Sequence, residues 1–485
     1  MQPYEETAHL DFDKLNTLFQ NCADVVVRQF TDMSTPITLV YCDGLTDQKT
    51  INEIVLPRLI SVDLSDNSSL SSKLALTLNE LALPVDPIQM EEPIFSGQLL
   101  ILTGEDDHSR LYTLDISSIP GRMPEESALE SAVKGARDGF TEELSVNVGL
   151  IRKRLRTKSF CYEQFVFGER SHTKIALFYV EDVINPEILK TIQQRLNQID
   201  VDGLVGSSII ERTIMGSIPS ILPLTDMTQR PDYVVTSLLN GRFAVMMEGS
   251  PVANIAPTTL FNQIHSPEDA STPFFMVAME RLLRIFGLVV ASLFPGFYIG
   301  LTSFNLEQIP LPLLATVAGT RVGLPLPAPL EAFMMIAMFE LFNEAGRRLP
   351  RALGQTVTVV GGLIIGDAAI RAGVTSPTII VAVAISVISS YMLVNTVLSS
   401  VTSLIRLFVL AFASFLGMYG FFIAAFILVI HLASLESYGV RYLSPVTPLK
   451  LGDAIQTVLM KPSYGRKKRP ESLQTQDNTR NGNGS

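Results

Sequence analysis

The chain has 485 residues and a mass of 53.2 kDa, which is too long for one ordinary domain and predicts two or three. Its formal net charge of −11 excludes a typical nucleic-acid-binding protein, because phosphate recognition needs an excess of basic residues. Apolar residues make up 47% of the chain and charged residues only 18%, below the usual quarter for soluble proteins. This composition indicates a membrane protein.

The sequence shows no signature of an enzyme, a cofactor site or a metal site. Its three cysteines lie far apart without metal-ligand spacing and are too few for a disulfide framework: Cys22, Cys42 and Cys161. Walker A, His-Glu-x-x-His, Gly-x-Ser-x-Gly and dinucleotide-binding motifs are missing. The first residues, MQPYEETAHLDFDK, lack the basic flank and apolar run of a signal peptide. We therefore expect a non-enzymatic protein with a reduced, cytosol-facing soluble region.

An internal duplication organises the region before about residue 280, where short apolar runs alternate with charged segments. The run TPITLVYCDGLTDQ, residues 35–48, aligns without a gap with TKIALFYVEDVINP, residues 173–186. In the same order, SGQLLILTGED at residues 96–106 aligns with NGRFAVMMEGS at residues 240–250. The sequence therefore predicts two related α/β subdomains. The acids at the strand ends are interpreted as turn and capping residues rather than as a catalytic site: Asp43, Glu181 and Asp182.

Between the two copies, a predicted amphipathic helix ends in a strongly basic cluster. Four of its cations are candidates for contact with a lipid or a partner: Arg152, Lys153, Arg154 and Arg156. Cations at a helix C-terminus complement the helix macrodipole, so a well-capped solvated helix would explain the cluster. Contact with anionic lipid headgroups or with the acids of a partner protein would explain it equally well. The sequence leaves both interpretations open.

Apolar stretches dominate the chain after residue 285. Three are long enough to span a bilayer as helices and contain no Asp, Glu, Lys or Arg, with His431 as their single histidine: Ile285 to Leu306, Ala372 to Ile405, and Leu407 to Leu435. Two weaker candidates, Leu326 to Phe342 and Gln355 to Ile370, contain acids. We predict five or six crossings, because five would place the C-terminal basic run opposite the other basic clusters. A sixth arises if the chain folds back near Gly417 and Gly420, or if the proline-rich stretch 309–329 enters the membrane.

The predicted architecture is a soluble α/β region followed by an all-α multipass membrane domain. The predicted parts are a first α/β subdomain at 1–120, a basic helical linker at 121–160, a second α/β subdomain at 161–280, a transmembrane domain at 281–445 and a cytoplasmic tail at 446–485. The last residues, ESLQTQDNTRNGNGS, have almost nothing to bury, so the end of the tail is predicted to be disordered.

Polar groups are costly inside a membrane, so they are the best pointers to function in the apolar half. Three acids lie in the second apolar stretch: Glu331, Glu340 and Glu344. A glycine-faced segment with one acid follows it: Gly361, Gly362, Gly366 and Asp367. A stripe of hydroxyl groups lies in the next stretch: Ser386, Ser389 and Ser390. Ion pairing and helix packing explain these sets, and so does the wall of an oligomeric, water-lined conduction path.

Several strings in both halves match a known family. In the soluble half they are GARDGFTEELSVNVGLIRKRLR (135–156), YVEDVINPEILKTIQQRL (179–196), QRPDYVVTSLLNGRFAVMMEGSP (229–251) and SPED (266–269). In the membrane half they are FNEAGRRLPRALGQTVTVVGGLIIGDAAIRAG (342–373) and HLASLESYGVRYLSP (431–445). Together they resemble the A-type subunits of the GerA family of bacterial spore germinant receptors. The resemblance covers roughly residues 20 to 460.

This resemblance implies an oligomeric, nutrient-gated cation channel that triggers spore germination. It implies the spore inner membrane as the location, with the soluble region on the cytoplasmic, spore-core side. The implied partners are further copies of the chain, a transporter-like B subunit, a C-subunit lipoprotein and membrane lipids. Two alternatives stay open: a non-conducting receptor scaffold, and the paralogous branch encoded with the dipicolinic-acid channel genes, which amplifies ion release. The germinant, the subunit number and the ion selectivity do not follow from the sequence.

Overall fold

The chain forms two compact units. The first contains residues 1–218, 225–257 and 464–485, and the second contains residues 219–224 and 258–463. The computed structural model describes residues 11–31, 35–61, 76–81, 87–104, 109–118, 120, 138–204, 206–216, 220–270, 272–348, 366–449, 452, 454–455, 457 and 468–479.

The first unit begins with a five-stranded antiparallel sheet in the order β1-β2-β4-β5-β3. Its strands are β1 (Val25–Phe30), β2 (Ile37–Cys42), β3 (Leu78–Leu81), β4 (Gln98–Thr103) and β5 (Arg110–Asp115). Its helices are α1 (Phe12–Leu18), α2 (Gln48–Thr50), a π-helical turn (Ile51–Val55), α3 (Leu56–Ser61) and α4 (Pro87–Ile94).

Helical segments cover both faces of this first sheet, which explains why its central strands are apolar at almost every position. Successive side chains of a strand point to opposite faces. Val40 and Leu100 pack with a cluster that includes Leu15 and Phe95, whereas Leu39 and its neighbours pack with a cluster around the π-helical turn. A strand buried on both sides therefore reads as one continuous apolar run.

The second five-stranded sheet repeats the first in the order β6-β7-β9-β10-β8. Its strands are β6 (Phe160–Phe167), β7 (Thr173–Val180), β8 (Asp226–Thr228), β9 (Phe243–Met247) and β10 (Ala253–Ala256). The helices of this part are α5 (Leu144–Arg152), α6 (Pro186–Asn197), α7 (Ser207–Met215) and α8 (Pro231–Leu239). The aligned runs of the sequence fall on the corresponding strands β2 and β7, and β4 and β9. This correspondence confirms the predicted duplication.

Every strand pairing within the two five-stranded sheets is antiparallel. The predicted mixture of helices and strands is present, but the sheets are not the parallel kind whose strand ends converge on a ligand. The apolar runs could not reveal this, because a strand covered on both faces is apolar in either arrangement. The acidic turn at Glu181 and Asp182 therefore does not lie at the ligand-binding edge of a parallel sheet.

The second unit consists mainly of apolar helices. They are α9 (Leu260–Ile264), α10 (Phe274–Phe304), α11 (Leu311–Thr320), α12 (Ala328–Arg348), α13 (Pro377–Ser390) and α14 (Thr396–Ser434). A short ribbon follows, formed by β11 (Glu436–Ser437) and β12 (Val440–Arg441). Among the described residues, α10 and α14 are long and apolar enough to cross a membrane, by length and composition.

Helix α14 folds back on itself at Gly417. This residue has φ +63° and ψ −144°, a conformation outside the helical region. A Cβ atom on Gly420 would lie 2.1 Å from the carbonyl oxygen of Phe412. In a straight helix, eight residues separate two positions by about 12 Å along the axis. The chain therefore reverses at Gly417, which is one of the two alternatives that the sequence left open for a sixth crossing.

Contacts at successive levels give the directions of the helices. Helix α13 runs antiparallel to α10, because Gly287 contacts Ser389 and Ala291 contacts Ser386. Helix α12 runs parallel to α13, because Glu331 contacts Ser376 and Asn343 contacts Tyr391. The first half of α14 runs parallel to α10, as shown by three more contacts: Ala291 with Arg406, Gly296 with Val409, and Gly300 with Met418. We call the end of the bundle where α10 begins, at Phe274, the entry end, and the end where it finishes, at Phe304, the far end.

Candidate functional site in the apolar helices

A proline inside α10 leaves one backbone carbonyl of that helix without its usual partner. Pro295 has no N–H group, so the carbonyl of Ala291, four residues earlier, cannot form the helical hydrogen bond. Two neighbouring helices supply the missing donors. The Ser386 hydroxyl of α13 donates to this carbonyl at 2.8 Å, and Arg406 Nε of α14 donates to it at 2.9 Å.

Arg406 extends this arrangement to a fourth helix. Its side chain is only 1% exposed, and its Nη1 lies 3.6 Å from Glu340 Oε1 of α12. The Ser403 hydroxyl donates to the same carboxylate oxygen at 2.5 Å. Neither Nη1 nor Nη2 of Arg406 forms a hydrogen bond in the part of the chain that the structure describes. We call Ala291, Glu340, Ser386, Ser403 and Arg406 the polar junction.

The polar junction is buried at Arg406, whose side chain is 1% exposed, and reaches the edge of the bundle at Glu340, which is 28% exposed. Buried charges are stable only when they are paired and hydrogen-bonded, and within the described ranges the guanidinium of Arg406 is only partly satisfied in this way. Close contact between helices leaves little room around it. A Cβ atom on Gly296 would lie 2.7 Å from Val409 Cγ1, so only glycine permits this approach of α10 and α14. The junction thus places an ionisable pair inside tightly packed apolar helices.

A second acid, Glu331, joins α12 to the start of α13 near the far end of the bundle. It has no exposed surface, and its Oε2 accepts the Ser376 backbone N–H at 2.9 Å and the Thr375 hydroxyl at 3.3 Å. Arg321 Nη2 lies 3.9 Å from the other carboxylate oxygen. A carboxylate at a helix N-terminus satisfies free N–H groups and complements the macrodipole. Glu331 therefore fixes the point where α13 begins.

The predicted glycine-faced segment is described only at its end. Gly361 and Gly362 lie outside the described residues. Residues 366–371 are helical, with Gly366 buried and Asp367 exposed. Asp367 Oδ2 accepts from Arg371 Nε at 2.8 Å, one helical turn later. The local ion pair considered from the sequence is therefore present.

The hydroxyl stripe on α13 lies between helices in this single chain. Ser386 is fully buried in the polar junction, and Ser390 donates to its own helix at the Val387 carbonyl. Ser389 donates likewise to the Ile385 carbonyl at 2.7 Å. Of the three predicted acids, Glu344 is the exposed one and pairs with Arg348 at 2.7 Å. The structure thus brings Glu340 and Ser386 into one site and leaves Glu331 and Glu344 in separate ones.

The basic cluster after α5 is divided between the interior and the surface. Arg152 has no exposed surface and forms two hydrogen bonds of 2.8 Å to the Asp24 carboxylate. Its guanidinium carbon lies 4.1 Å from the ring centre of Phe95 and 4.5 Å from that of Phe160. Three other cations remain nearer the surface: Arg154, which pairs with Asp138 at 2.6 Å, and the exposed Lys153 and Arg156. Arg152 is thus the one of the four candidates that the structure buries, and the other three stay candidates for contact with a lipid or a partner.

Burial changes the pKa of Arg152 and of the nearby thiols. Burial by itself lowers the pKa of the Arg152 guanidinium, but the charge and hydrogen bonds of Asp24 more than offset this, so its pKa is raised above the usual value. Burial raises the pKa of the Cys22 thiol to about 11 and also raises the pKa of Cys42 and of Cys161. These thiols are protonated at neutral pH and therefore poorly reactive.

The base of α10 contains a further buried ionic cluster. Asp269 Oδ2 accepts from Arg281 Nε at 2.8 Å, and its Oδ1 accepts from Arg284 Nη1 at 3.0 Å. The Thr457 carbonyl accepts from Arg281 Nη1 and also contacts His265 Nε2. Burial, followed by the positive charge of Arg281, lowers the pKa of His265 to about 3. His265 is therefore neutral at any physiological pH.

Sequence reasoning missed Arg406, a member of the polar junction, and Pro295, whose missing N–H group frees the Ala291 carbonyl of that junction. Each had a visible signal. Pro295 interrupts a long uncharged stretch, and a proline inside a helix always leaves a carbonyl free. Arg406 is the single charged residue between two long uncharged runs, and such a residue needs a partner inside the bundle. The same rule had already selected Glu340, which is that partner.

Comparisons with known proteins cover nearly the whole chain. The family described as "Bacillus/Clostridium GerA spore germination protein" matches residues 13–472. Spore germination protein XA of Bacillus anthracis is 40% identical over 484 residues, covering 98% of each chain. Spore germination protein KA of Bacillus subtilis (strain 168) is 31% identical over 468 residues, covering 95% of this chain and 85% of that one.

Among solved structures, similarity is found to the N-terminal domain of the A subunit of the Bacillus megaterium spore germinant receptor GerK3. The identity is 22% and the TM-score 0.38, and the match covers 50% of this chain and 92% of that one. The assignment rests instead on the sequence comparisons, which extend through both the soluble region and the apolar helices. This chain belongs to the GerA family of spore germination proteins.

Proposed function

We propose that this chain is the A-type subunit of a spore germinant receptor and that copies of it form a cation channel gated by nutrients. The full-length family match supports the role in germination. The observation that supports ion conduction is the polar junction, because ionisable groups inside apolar helices mark ion pathways and relays. The proposed location is the spore inner membrane, and the proposed partners are a transporter-like B subunit and a C-subunit lipoprotein.

The helix directions support six crossings. Helices α12 and α13 both run from the far end of the bundle to the entry end, and these directions support the crossing predicted from the sequence at Gln355 to Ile370, which we call the return segment. The chain then makes six passes, which are α10, α12, the return segment, α13 and the two halves of α14. An even number puts the soluble region and the C-terminal region on the same side of the membrane.

The distribution of basic residues supports the same topology. Arg281 and Arg284 lie near the entry end, where α10 begins, and Arg347 and Arg348 lie at the entry end, where α12 finishes. The basic run at residues 466–469 follows the last pass on the same side. Basic residues favour the cytoplasmic side, so we assign the entry end to the spore core. Lys153, Arg154 and Arg156 would then be available to anionic headgroups or to partner acids on that side.

The proposed pore wall is the return segment that ends at Gly366 and Asp367, with Gly361 and Gly362 as its close-packed face. An exposed acid at the end of such a segment would form a ring in an oligomer and attract cations. The serine stripe is a second candidate wall. Its three hydroxyl groups are bonded within the single chain, however, and this favours helix packing for Ser386, Ser389 and Ser390.

The alternative function is a receptor scaffold that anchors partners without conducting ions. The specific observation in its favour is that the polar groups of the junction bond with one another in one copy. The test is potassium flux and single-channel current from the full chain in liposomes, alone and with the B and C subunits. We expect Gly362→Leu to abolish the current and Asp367→Asn to lower conductance severalfold, with Glu307→Gln as an exposed acidic control.

Silence in every combination, with oligomers demonstrably present, would favour the scaffold. Currents that are unchanged by both substitutions would move the pore wall away from the return segment. Spores that lack the chain give a further distinction. A normal response to nutrients with slower ion release would place the chain in the amplifier branch of the family.

A further inference from the structure

The segment of residues 468–479, which we call the C-terminal segment, packs on the second subdomain. Gln476 makes the most specific contacts. Its backbone N–H donates to the Val183 carbonyl at 3.1 Å, and its side-chain amide donates to the carbonyls of Ile184 at 3.0 Å and Glu181 at 3.4 Å. These carbonyls belong to the turn between β7 and α6. One glutamine therefore supplies the donors for three acceptors of a single turn.

Arg469 connects the other end of the C-terminal segment to the same subdomain. Its Nε donates at 2.8 Å to the carbonyl of Leu239, the last residue of α8, where the helix macrodipole favours a cation. Its Nη1 donates to Asp477 Oδ2 at 2.6 Å and to the Thr479 carbonyl at 2.6 Å. The Thr479 hydroxyl and Arg469 lower the pKa of Asp477 to about 2, although slight burial opposes them. Arg469 thus closes the segment on itself while binding α8.

The receiving surface also matches the C-terminal segment in shape. Gly241 has φ +91°, and a Cβ atom there would lie 2.3 Å from Thr475 Cγ2. Only glycine permits both this backbone conformation and this close approach. Thr475 and Leu473 are each buried, at 5% and 6% exposure, although most of their neighbours in the segment are polar. The second subdomain therefore contacts the C-terminal segment in three ways: through turn carbonyls, through the end of α8 and through the close approach at Gly241.

We propose that the second subdomain contains a peptide-binding site whose ligand is the chain's own C-terminal segment, bound in cis. The sequence predicts a solvated tail there, because the composition offers little to bury. The structure shows instead that the segment is recognised mainly through backbone carbonyls and so needs few apolar residues. The proposal does not depend on ion conduction.

Hydrogen exchange of the full chain in detergent micelles or nanodiscs tests the binding. A bound segment predicts slow exchange at the Gln476 amide. Gln476→Ala removes two side-chain hydrogen bonds, so exchange there should become about tenfold faster. Thr475→Arg cannot fit over Gly241 and should have at least as large an effect. Ser472→Ala, within the same segment, is the matched control and should leave exchange unchanged.

The slow hydrogen exchange of β7 and β9, measured in the same experiment, shows whether the second subdomain stays folded in each variant. Rapid exchange of the C-terminal segment in the unaltered chain would overturn the site. An equal effect of Ser472→Ala and Gln476→Ala would overturn the recognition by Gln476.

Photo-crosslinking tests the binding in cis. Photo-leucine at Leu473, introduced by ligating a synthetic C-terminal peptide, should crosslink to the second subdomain of its own chain. A mixture of tagged and untagged chains tests whether the C-terminal segment of a second copy occupies the site instead. Crosslinks between tagged and untagged chains would show binding in trans and overturn the proposal as stated.

Discussion

Two fully buried arginines, one in each half of the molecule, are stabilised in different ways. In the soluble region, Arg152 has two hydrogen bonds to Asp24, a third to the Thr157 carbonyl, and an aromatic ring within 4.5 Å on either subdomain. In the apolar helices, Arg406 has one hydrogen bond to a carbonyl and a carboxylate at 3.6 Å. Among the described residues, Arg152 has partners for most of its donors, whereas Arg406 has a hydrogen-bond partner for Nε alone.

This difference indicates how the two regions respond to change. A fully hydrogen-bonded buried ion pair fixes one arrangement of its neighbours, because a movement that separates the pair leaves a buried charge without a partner. A partly satisfied one loses less when the helices around it move. We therefore expect the two subdomains of the soluble region to keep one relative arrangement and the polar junction to tolerate rearrangement. The following predictions test this contrast, from the largest expected effect to the smallest.

Removal of the Arg152 charge should have the largest effect. Arg152→Met leaves Asp24 buried without its partner, and we expect a loss of about 3–5 kcal/mol in the free energy of unfolding of the soluble region. Cys42 donates to Asp24, and Cys22 lies against Phe160, so their thiols report the opening of this interior. Maleimide labelling of the full chain should accelerate by at least a hundredfold.

Lys153→Met is the matched control, since Lys153 is the exposed neighbour of Arg152. It should leave the labelling rate unchanged. The double variant Asp24→Asn with Arg152→Met should recover part of the loss, because neither charge is then buried alone. If the two single variants at 152 and 153 behave alike, Arg152 does not connect the subdomains.

The reversal of α14 should be the next most sensitive point. Gly417→Ala places a side chain at φ +63° and ψ −144°, a region that essentially only glycine occupies, and brings its Cβ within 2.7 Å of Phe304 Cβ. Strain and overpacking together should lower the stability of the apolar helices by about 2–4 kcal/mol. The thermal midpoint of the detergent-solubilised chain measures this. Gly319→Ala, in α11 with open space around it, should instead raise stability by about 0.5–1 kcal/mol. Equal midpoints would argue for a continuous α14.

His265 should make stability depend on pH with a defined sign. Its pKa is about 3 in the folded chain and about 6.5 when unfolded, so the unfolded chain takes up the proton first as the pH falls. Stability is therefore complete above about pH 6.5 and falls by about 1.4 kcal/mol per pH unit below it, or about 2 kcal/mol at pH 5.

Thermal midpoints of the full chain between pH 7.5 and pH 5 measure this loss. His265→Gln keeps a donor for the Thr457 carbonyl and should remove most of the pH dependence. His172→Asn, at an exposed position, should leave it unchanged. A slope that survives in His265→Gln would assign the pH dependence to other groups.

The sequence was sufficient for features that depend on local pattern. The duplicated strands, among them those that contain Val40 and Val245, and the apolar helices follow from repeated pattern and periodicity. The reversal near Gly417 was one of two alternatives that glycine and proline placement left open. The antiparallel pairing did not follow, because burial on both faces removes the alternation that would reveal it. The binding of the C-terminal segment did not follow either, because Gln476 and Arg469 act on backbone carbonyls, which no side-chain pattern predicts.

The site could be predicted in part for the same reason. Glu340 and Ser386 were selected because polar groups in apolar helices need partners. The identity of the partner required the fold, since Ala291 becomes an acceptor only through Pro295 in its own helix, and Arg406 reaches it from more than one hundred positions away. A rule that follows each proline inside an apolar helix to the carbonyl four residues earlier would have found the junction.

The polar junction gives the smallest expected effects and the sharpest test of the contrast. Arg406→Met should cost only about 1 kcal/mol, because Glu340 is partly exposed and Ser386 still donates to the Ala291 carbonyl. Pro295→Ala restores the N–H group that this carbonyl lacks, so the bond from Arg406 becomes redundant. In that background the loss of Arg406 should cost less, with a coupling of about 0.5–1 kcal/mol in a double-mutant cycle of thermal midpoints. Additive effects would mean that the free carbonyl does not position Arg406. A loss as large as that at Arg152 would mean that the apolar helices are as rigidly fixed as the soluble region.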